Sequence, residues 1–211
     1  MVSEQFVLPS RTLFSGKKSL KLSRPILMGI LNSTPDSFSD GSSFFEFDDA
    51  LVQARKIIAA GADWLDIGGE SSGPDSKEVT LEEELRRVIP LIKAVRSESD
   101  IWISVDTWKA EVARLSLDAG ADAVNDVSAL RADKEMALLI AEYQVPVILM
   151  YSKGLTPRTT RNHTKYRDVI HTIISFFRER IEYAGSNGIN KGQILIDPGM
   201  GYFISGNAKL S

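Results

Sequence analysis

A chain of 211 residues with 43% hydrophobic and 25% charged side chains has the composition of a soluble globular protein, with room for one large domain or two small ones. A net charge of −3 offers no electrostatic footprint for nucleic acid, and the absence of cysteine excludes disulfides, thiolate zinc sites and a thiol nucleophile. Two histidines, His163 and His171, exclude a histidine-rich metal centre, and no apolar run approaches the ~20 residues that span a bilayer, so the reading is a cytoplasmic protein.

Residues 1–24 contain no uninterrupted apolar segment and read as an N-terminal extension. The first apolar strand, ILMGIL (26–31), runs into LNSTPDSFSDG (31–41), a long polar loop in which Phe38 stands alone between Asp36 and Asp40. From Asp49 to Ala60 a helical period puts Ala50, Leu51, Ala54, Ile57 and Ile58 on one face. Strand DWLDIG (63–68) follows, then a second polar loop, GGESSGPDS (68–76). Thr80 and Glu83 form a capping-box pattern that opens a helix reaching about Ser97. IWISVD (101–106), DAVNDV (122–127), VPVILM (145–150) and QILID (193–197) supply four more strands, separated by helical segments 109–119, 133–143 and 166–184.

AAGADWLDIG (59–68) and DAGADAVNDV (118–127) repeat one event: a helix closes on a glycine in the left-handed cap position and Ala-Asp leads into a strand. Strands alternating with helices, without hairpin signals, imply parallel pairing through right-handed crossovers. The strands are apolar at nearly every position, as expected where both faces are covered.

An open doubly wound sheet and a closed barrel both satisfy that pattern. No Gly-x-Gly-x-x-Gly follows the first strand, which weakens the dinucleotide-binding version. Asn32, Asp66, Asp106, Asn125 and Asp197 fall at or near the carboxyl ends of successive strands, which in a barrel converge on one mouth. The expected fold is therefore α/β, a TIM-type (β/α)8 barrel. Six strand–helix units of about 31 residues match the spacing of eight units in ~250 residues, so about six of eight units are expected in this chain. The domain reading is an N-terminal extension over 1–24, a hairpin covering the barrel bottom, and a C-terminally incomplete barrel domain over 25–211.

Asp106 presents a carboxylate that accepts from a fork of two N–H donors, and Asn125 both donates and accepts. Together they suit a flat heterocycle carrying an amino group beside a ring N–H, a pterin or guanine edge, with Asp197 serving the same ring from another side. The competing reading for each is structural, with Asp106 as N-cap of a helix starting near Thr107. The two polar loops read as a lid over the mouth. IDPGMGYF (196–203) reads as a tight glycine-rich turn, and the basic stretch 152–167 as either an attractor of anionic substrate or a solvated run.

GILNSTPDSFSDG, GADWLDIGGESS, ISVDT, AGADAVNDVS and ILIDPGMGY, taken in that order over about residues 25–203, resemble the dihydropteroate synthases among the pterin-binding barrel enzymes. That resemblance implies a transferase of folate biosynthesis that condenses 6-hydroxymethyl-7,8-dihydropterin diphosphate with 4-aminobenzoate, giving 7,8-dihydropteroate and diphosphate. It implies Mg2+ as cofactor, with Asn32 at the metal or diphosphate. It places Asp36 and Phe38 on a catalytic loop, with Phe38 and Pro74 at the aminobenzoate pocket. Ser72 is implied at the diphosphate, and Asp106, Asn125, Met150 and Asp197 in the substrate pocket. It further implies a cytoplasmic homodimer with no nucleic-acid or membrane partner. A non-catalytic pterin-binding paralogue and a methyltetrahydrofolate methyltransferase domain are the alternatives, the second opposed by the NSTPDSFSDG loop.

Three departures accompany the likeness. Ser71-Ser72-Gly73-Pro74 stands where the family usually has Ser-Thr-Arg-Pro, and Met150-Tyr151-Ser152 where it has Met-His-Met. The Ser-Arg-Lys and Arg-x-His segments of the family's seventh and eighth strands have no counterpart here. The implied pterin lysine and diphosphate-binding basic pair are therefore missing, and an incomplete anion site is the expectation.

Overall fold

The computed structural model describes residues 11–16, 18–33, 43–71, 73, 76–153 and 168–200, with side chains from residue 47 onward in the first helix. Strands β1 (Arg11–Ser15) and β2 (Lys18–Leu22) form an antiparallel hairpin. A parallel sheet of six strands follows in chain order: β3 (Met28–Asn32), β4 (Trp64–Gly68), β5 (Trp102–Asp106), β6 (Ala123–Asp126), β7 (Val147–Met150) and β8 (Ile194–Asp197). Helices α1 (Ser43–Ala59), α2 (Leu81–Glu98), α3 (Ala110–Asp118), α4 (Glu135–Tyr143) and α5 (Val169–Ser186) alternate with them. Sequential parallel order is the TIM-type barrel arrangement, of which the described residues form six strands.

Period-two alternation divides each strand between two environments. Leu65, Ile67, Ile103, Val105, Val124 and Leu149 belong to the main apolar layer, together with Ala54, Val88, Leu91, Ala113, Met136 and Ile140 of the helices. The opposite parity carries Trp64, Trp102, Ala123 and Ile148, which form a second cluster with Leu13 of the hairpin. The two indole rings lie 5.3 Å apart, tilted by 44°. At the amino-terminal ends of the strands, Lys18 of β2 donates to Asp122 at 2.8 Å and to the Ile101 carbonyl at 2.9 Å. Arg96 of α2 meets the same Asp122 carboxylate at 2.6 Å, so one aspartate ties hairpin and helix to the bottom of the sheet.

The repeated glycine caps form as expected: Gly61 and Gly120 take φ of 94° and 113°, a conformation that side-chain-bearing residues rarely adopt. Thr80 caps α2 by accepting from the Glu83 N–H at 3.3 Å, while the Glu83 carboxylate engages Arg86 and Arg87. Asp106 is not a helix cap. Helix α3 begins at Ala110, and the Ala110 N–H donates to Asp133 at 2.8 Å instead. Coverage of both faces holds for β4 through β7 but not for the two outer strands. Among the described residues β3 and β8 each pair on one side only, and Ile30 and Ile196 are 66% and 55% exposed.

Candidate active site

Strand parity sets the mouth. Pairing registers Asn32 with Gly68, Gly68 with Asp106, Asp106 with Asn125, and Met150 with Asp197. A polar row therefore runs across the carboxyl ends of β3 to β6. Gly68 sits inside that row, and a Cβ placed on it would lie 3.2 Å from Asn32 Oδ1 and 3.4 Å from Asp106 Oδ2. The glycine keeps open the space between a carboxamide oxygen and a carboxylate.

The Asp106 carboxylate accepts no hydrogen bond from any described residue. Burial raises its carboxyl well above the ordinary range, and the neighbouring Asp66, Glu84, Asp126 and Glu70 raise it further. A ligand with an N–H edge supplies what this carboxylate lacks. The Asn125 carboxamide donates through Nδ2 to Asp66 Oδ2 at 2.9 Å. Its other N–H and its oxygen have no partner among the described residues, leaving one donor and one acceptor free.

Asp126, beside Asn125, has the opposite parity and a structural task. Its two oxygens accept from the N–H groups of Ser128 and Leu130, each at 2.8 Å, and hold a turn in which Ala129 and Leu130 take positive φ. Met150 is buried at the end of β7, and Asp197 is exposed at the end of β8, accepting from the Gly199 N–H at 2.8 Å. Asp36, Phe38, Ser72 and Pro74 lie outside the described residues, as does most of the basic stretch 152–167.

Two side-chain clusters near the mouth form through partners that strand ends alone do not reveal. Lys109 donates to Glu70 and to Glu84, each at 2.5 Å, and to the Val79 carbonyl at 3.0 Å. Both glutamates are buried, and Glu70 also accepts from the Val79 N–H at 3.2 Å. The cluster fastens the base of the second loop to α2 and α3. Burial alone would lower the Lys109 ammonium, but hydrogen bonds and charge from Glu70 and Glu84 outweigh it and raise it. The second group is Asp66 with Ser104 and Trp64, side chains of one parity on β4 and β5.

A family model described as pterin binding enzyme matches residues 28–210. The chain belongs to the pterin binding enzymes. Its similarity to individual members of that family is high. It is 45% identical to the dihydropteroate synthase of Synechocystis sp. over 192 residues, 91% of this chain and 64% of the relative. With the Escherichia coli K12 dihydropteroate synthase it shares 44% over 190 residues, 90% of this chain and 67% of that protein. Among solved structures, a Xanthomonas albilineans dihydropteroate synthase with 4-aminobenzoic acid superposes with a TM-score of 0.84 at 42% identity, covering 92% of this chain and 68% of the other. Another from the same organism, in complex with 7,8-dihydropteroate, gives 0.78 at 41% identity, covering 90% and 66%. This pterin binding enzyme chain thus spans about two thirds of the length of the curated relatives it matches. No helix among its described residues is long and apolar enough to cross a membrane.

Proposed function

We propose that the protein is a dihydropteroate synthase, joining 4-aminobenzoate to 6-hydroxymethyl-7,8-dihydropterin diphosphate. The amine nitrogen of 4-aminobenzoate forms a bond to the pterin methylene carbon and loses a proton, while the carbon–oxygen bond to diphosphate breaks and diphosphate leaves. The observation that carries this reading is the half-buried Asp106 carboxylate, without a donor among the described residues, beside the donor–acceptor pair of Asn125. Two solved structures of the X. albilineans dihydropteroate synthase hold 4-aminobenzoic acid and 7,8-dihydropteroate, a substrate and the product of this reaction.

Asp106, Asn125 and Asp197 hold the ring in this reading, and Met150 lines the pocket. Ser72 contacts diphosphate, Pro74 and Phe38 form the aminobenzoate pocket, and Asp36 belongs to the closing loop. Orientation of the two reactants and stabilisation of the departing charge do most of the work in such a displacement. Mg2+ fits the donor set as a passenger of the substrate. No group of three or more His, Asp or Glu side chains among the described residues is arranged to hold a metal. Mg2+ that keeps its waters and rides on phosphates needs few protein oxygens, and Asn32 offers one at the mouth. When bound it would neutralise charge on the leaving diphosphate. A cytoplasmic homodimer belongs to the same reading, supported by the family likeness of the loop and strand-end motifs.

Paired titrations with pterin and with lumazine, which has an oxygen where pterin has the 2-amino group, test the ring assignment. Pterin is expected to bind at least about tenfold more tightly, because lumazine leaves a carboxylate without its donor. Equal affinities would remove the basis for a pterin pocket at Asp106 and Asn125.

A further inference from the structure

Asn125 does not choose its own orientation. An amide side chain has two nearly isosteric faces, and which one meets a ligand depends on what grips the other. Here the grip is a chain of hydrogen bonds across three strands, buried up to the half-buried Asn125 itself. Trp64 Nε1 donates to Ser104 Oγ at 2.8 Å, Ser104 Oγ donates to Asp66 Oδ1, and Asp66 Oδ2 accepts from Asn125 Nδ2 at 2.9 Å. Trp64, Asp66 and Ser104 are all buried, at 2%, 3% and 0% exposure, so no solvent competes for these partners. Each link has one sense. Indole N–H only donates, an ionised carboxylate only accepts, and the hydroxyl between them passes the direction on.

We propose that Asp66 is a positioning residue that fixes the Asn125 carboxamide with its nitrogen inward and its oxygen toward the mouth, and so dictates the donor–acceptor order offered to the ring. This deepens the pterin-site reading and rests on it for the ligand. Asp66 lies one residue pair below Gly68 on β4, and pairs in register with Ser104. It therefore acts through Asn125 and does not touch the ring. Burial raises its carboxyl, the hydrogen bonds from Ser104 and Asn125 oppose that rise, and its negative charge in turn raises Asp106 across the sheet. The consequence for recognition is specific. Asparagine at position 66 has an N–H2 that can face Asn125, so it permits the flipped amide that aspartate forbids.

The test has a ligand-free arm and a ligand arm, both on the 211-residue chain. In the free protein, the two Nδ2 protons of Asn125 are expected as separate, slowly exchanging resonances that broaden or exchange faster in Asp66→Ala. With 6-hydroxymethyl-7,8-dihydropterin diphosphate as probe, Asp66→Ala is expected to weaken binding about tenfold, and about one-fold, meaning no further loss, when Asn125 is already alanine. Asp66→Asn is expected to fold as the wild type does and to lose affinity less than Asp66→Ala. Unchanged Asn125 amide signals in Asp66→Ala, or a tenfold loss that persists in the Asn125→Ala background, would overturn the assignment. If the wild-type chain binds no pterin, the functional reading fails, while the amide signals still decide whether Asp66 orients Asn125.

Discussion

Asp106→Ala is expected to weaken pterin binding by ~1–3 kcal/mol and, at the same time, to make the unliganded protein more heat-stable at neutral pH. The two effects have one origin. The carboxylate is held half-buried in an acid-rich mouth without a hydrogen-bond donor from the described residues, so its charge is costly until a ligand arrives. Burial, then Asp66, Glu84, Asp126 and Glu70, raise the carboxyl above its ordinary value of 3.8. A group raised in this way contributes stability that is complete below that ordinary value and is lost as pH rises through the folded value. Wild type minus Asp106→Ala should therefore melt progressively lower as pH climbs from about 4 to 8, by about 2–4 °C for each kcal/mol. Asp63 and Glu83, held down to about 2 by Arg24 and by Arg86 with Arg87, act in the opposite sense and cancel in the difference. Thermal melts across that pH range beside a calorimetric titration measure both halves. Lower thermal stability of the variant at pH 8 would show that the charge is well accommodated in the free protein.

Lys109→Met is expected to be the most destabilising single change in the mouth region, at ~3–5 kcal/mol, or a fall in Tm on the order of 10 °C. The ammonium spends its three N–H donors on Glu70, Glu84 and the Val79 carbonyl. Methionine matches the stem but leaves two buried carboxylates facing each other without a counter-charge. Adding Glu84→Leu should recover part of the loss, since removing both members of a buried pair costs less than orphaning one. Circular dichroism melts of the single and double variants check this. A loss below ~1 kcal/mol for Lys109→Met would mean that the glutamates find water or protons easily, and that the second loop is anchored otherwise.

Much of this architecture is legible because the signals are local. The apolar run of β5 ends at Asp106 in both sequence and structure, and the two glycine caps announce β4 and β6 one turn ahead. Asp106 and Asn125 stand out as polar residues ending apolar strands, and a strand register brings them side by side. Asp66 is visible in the same way, yet its task is not, because its partners Ser104 and Asn125 lie 38 and 59 residues away. Only the parity of three neighbouring strands brings them together. The Lys109 cluster is hidden for the same reason, as its three acceptors come from the second loop, α2 and the residues just before α2. The exposed faces of β3 and β8 follow from pairing, since an apolar strand reads alike with one neighbour or two.

Calorimetric titration of the 211-residue chain with 6-hydroxymethyl-7,8-dihydropterin diphosphate, with and without Mg2+, tests the central claim most directly. A pterin pocket built on Asp106 and Asn125, with Asn32 at the metal-bearing diphosphate, predicts saturable binding that tightens when Mg2+ is present. A folded chain that binds neither the diphosphate nor pterin, in either condition, would contradict it.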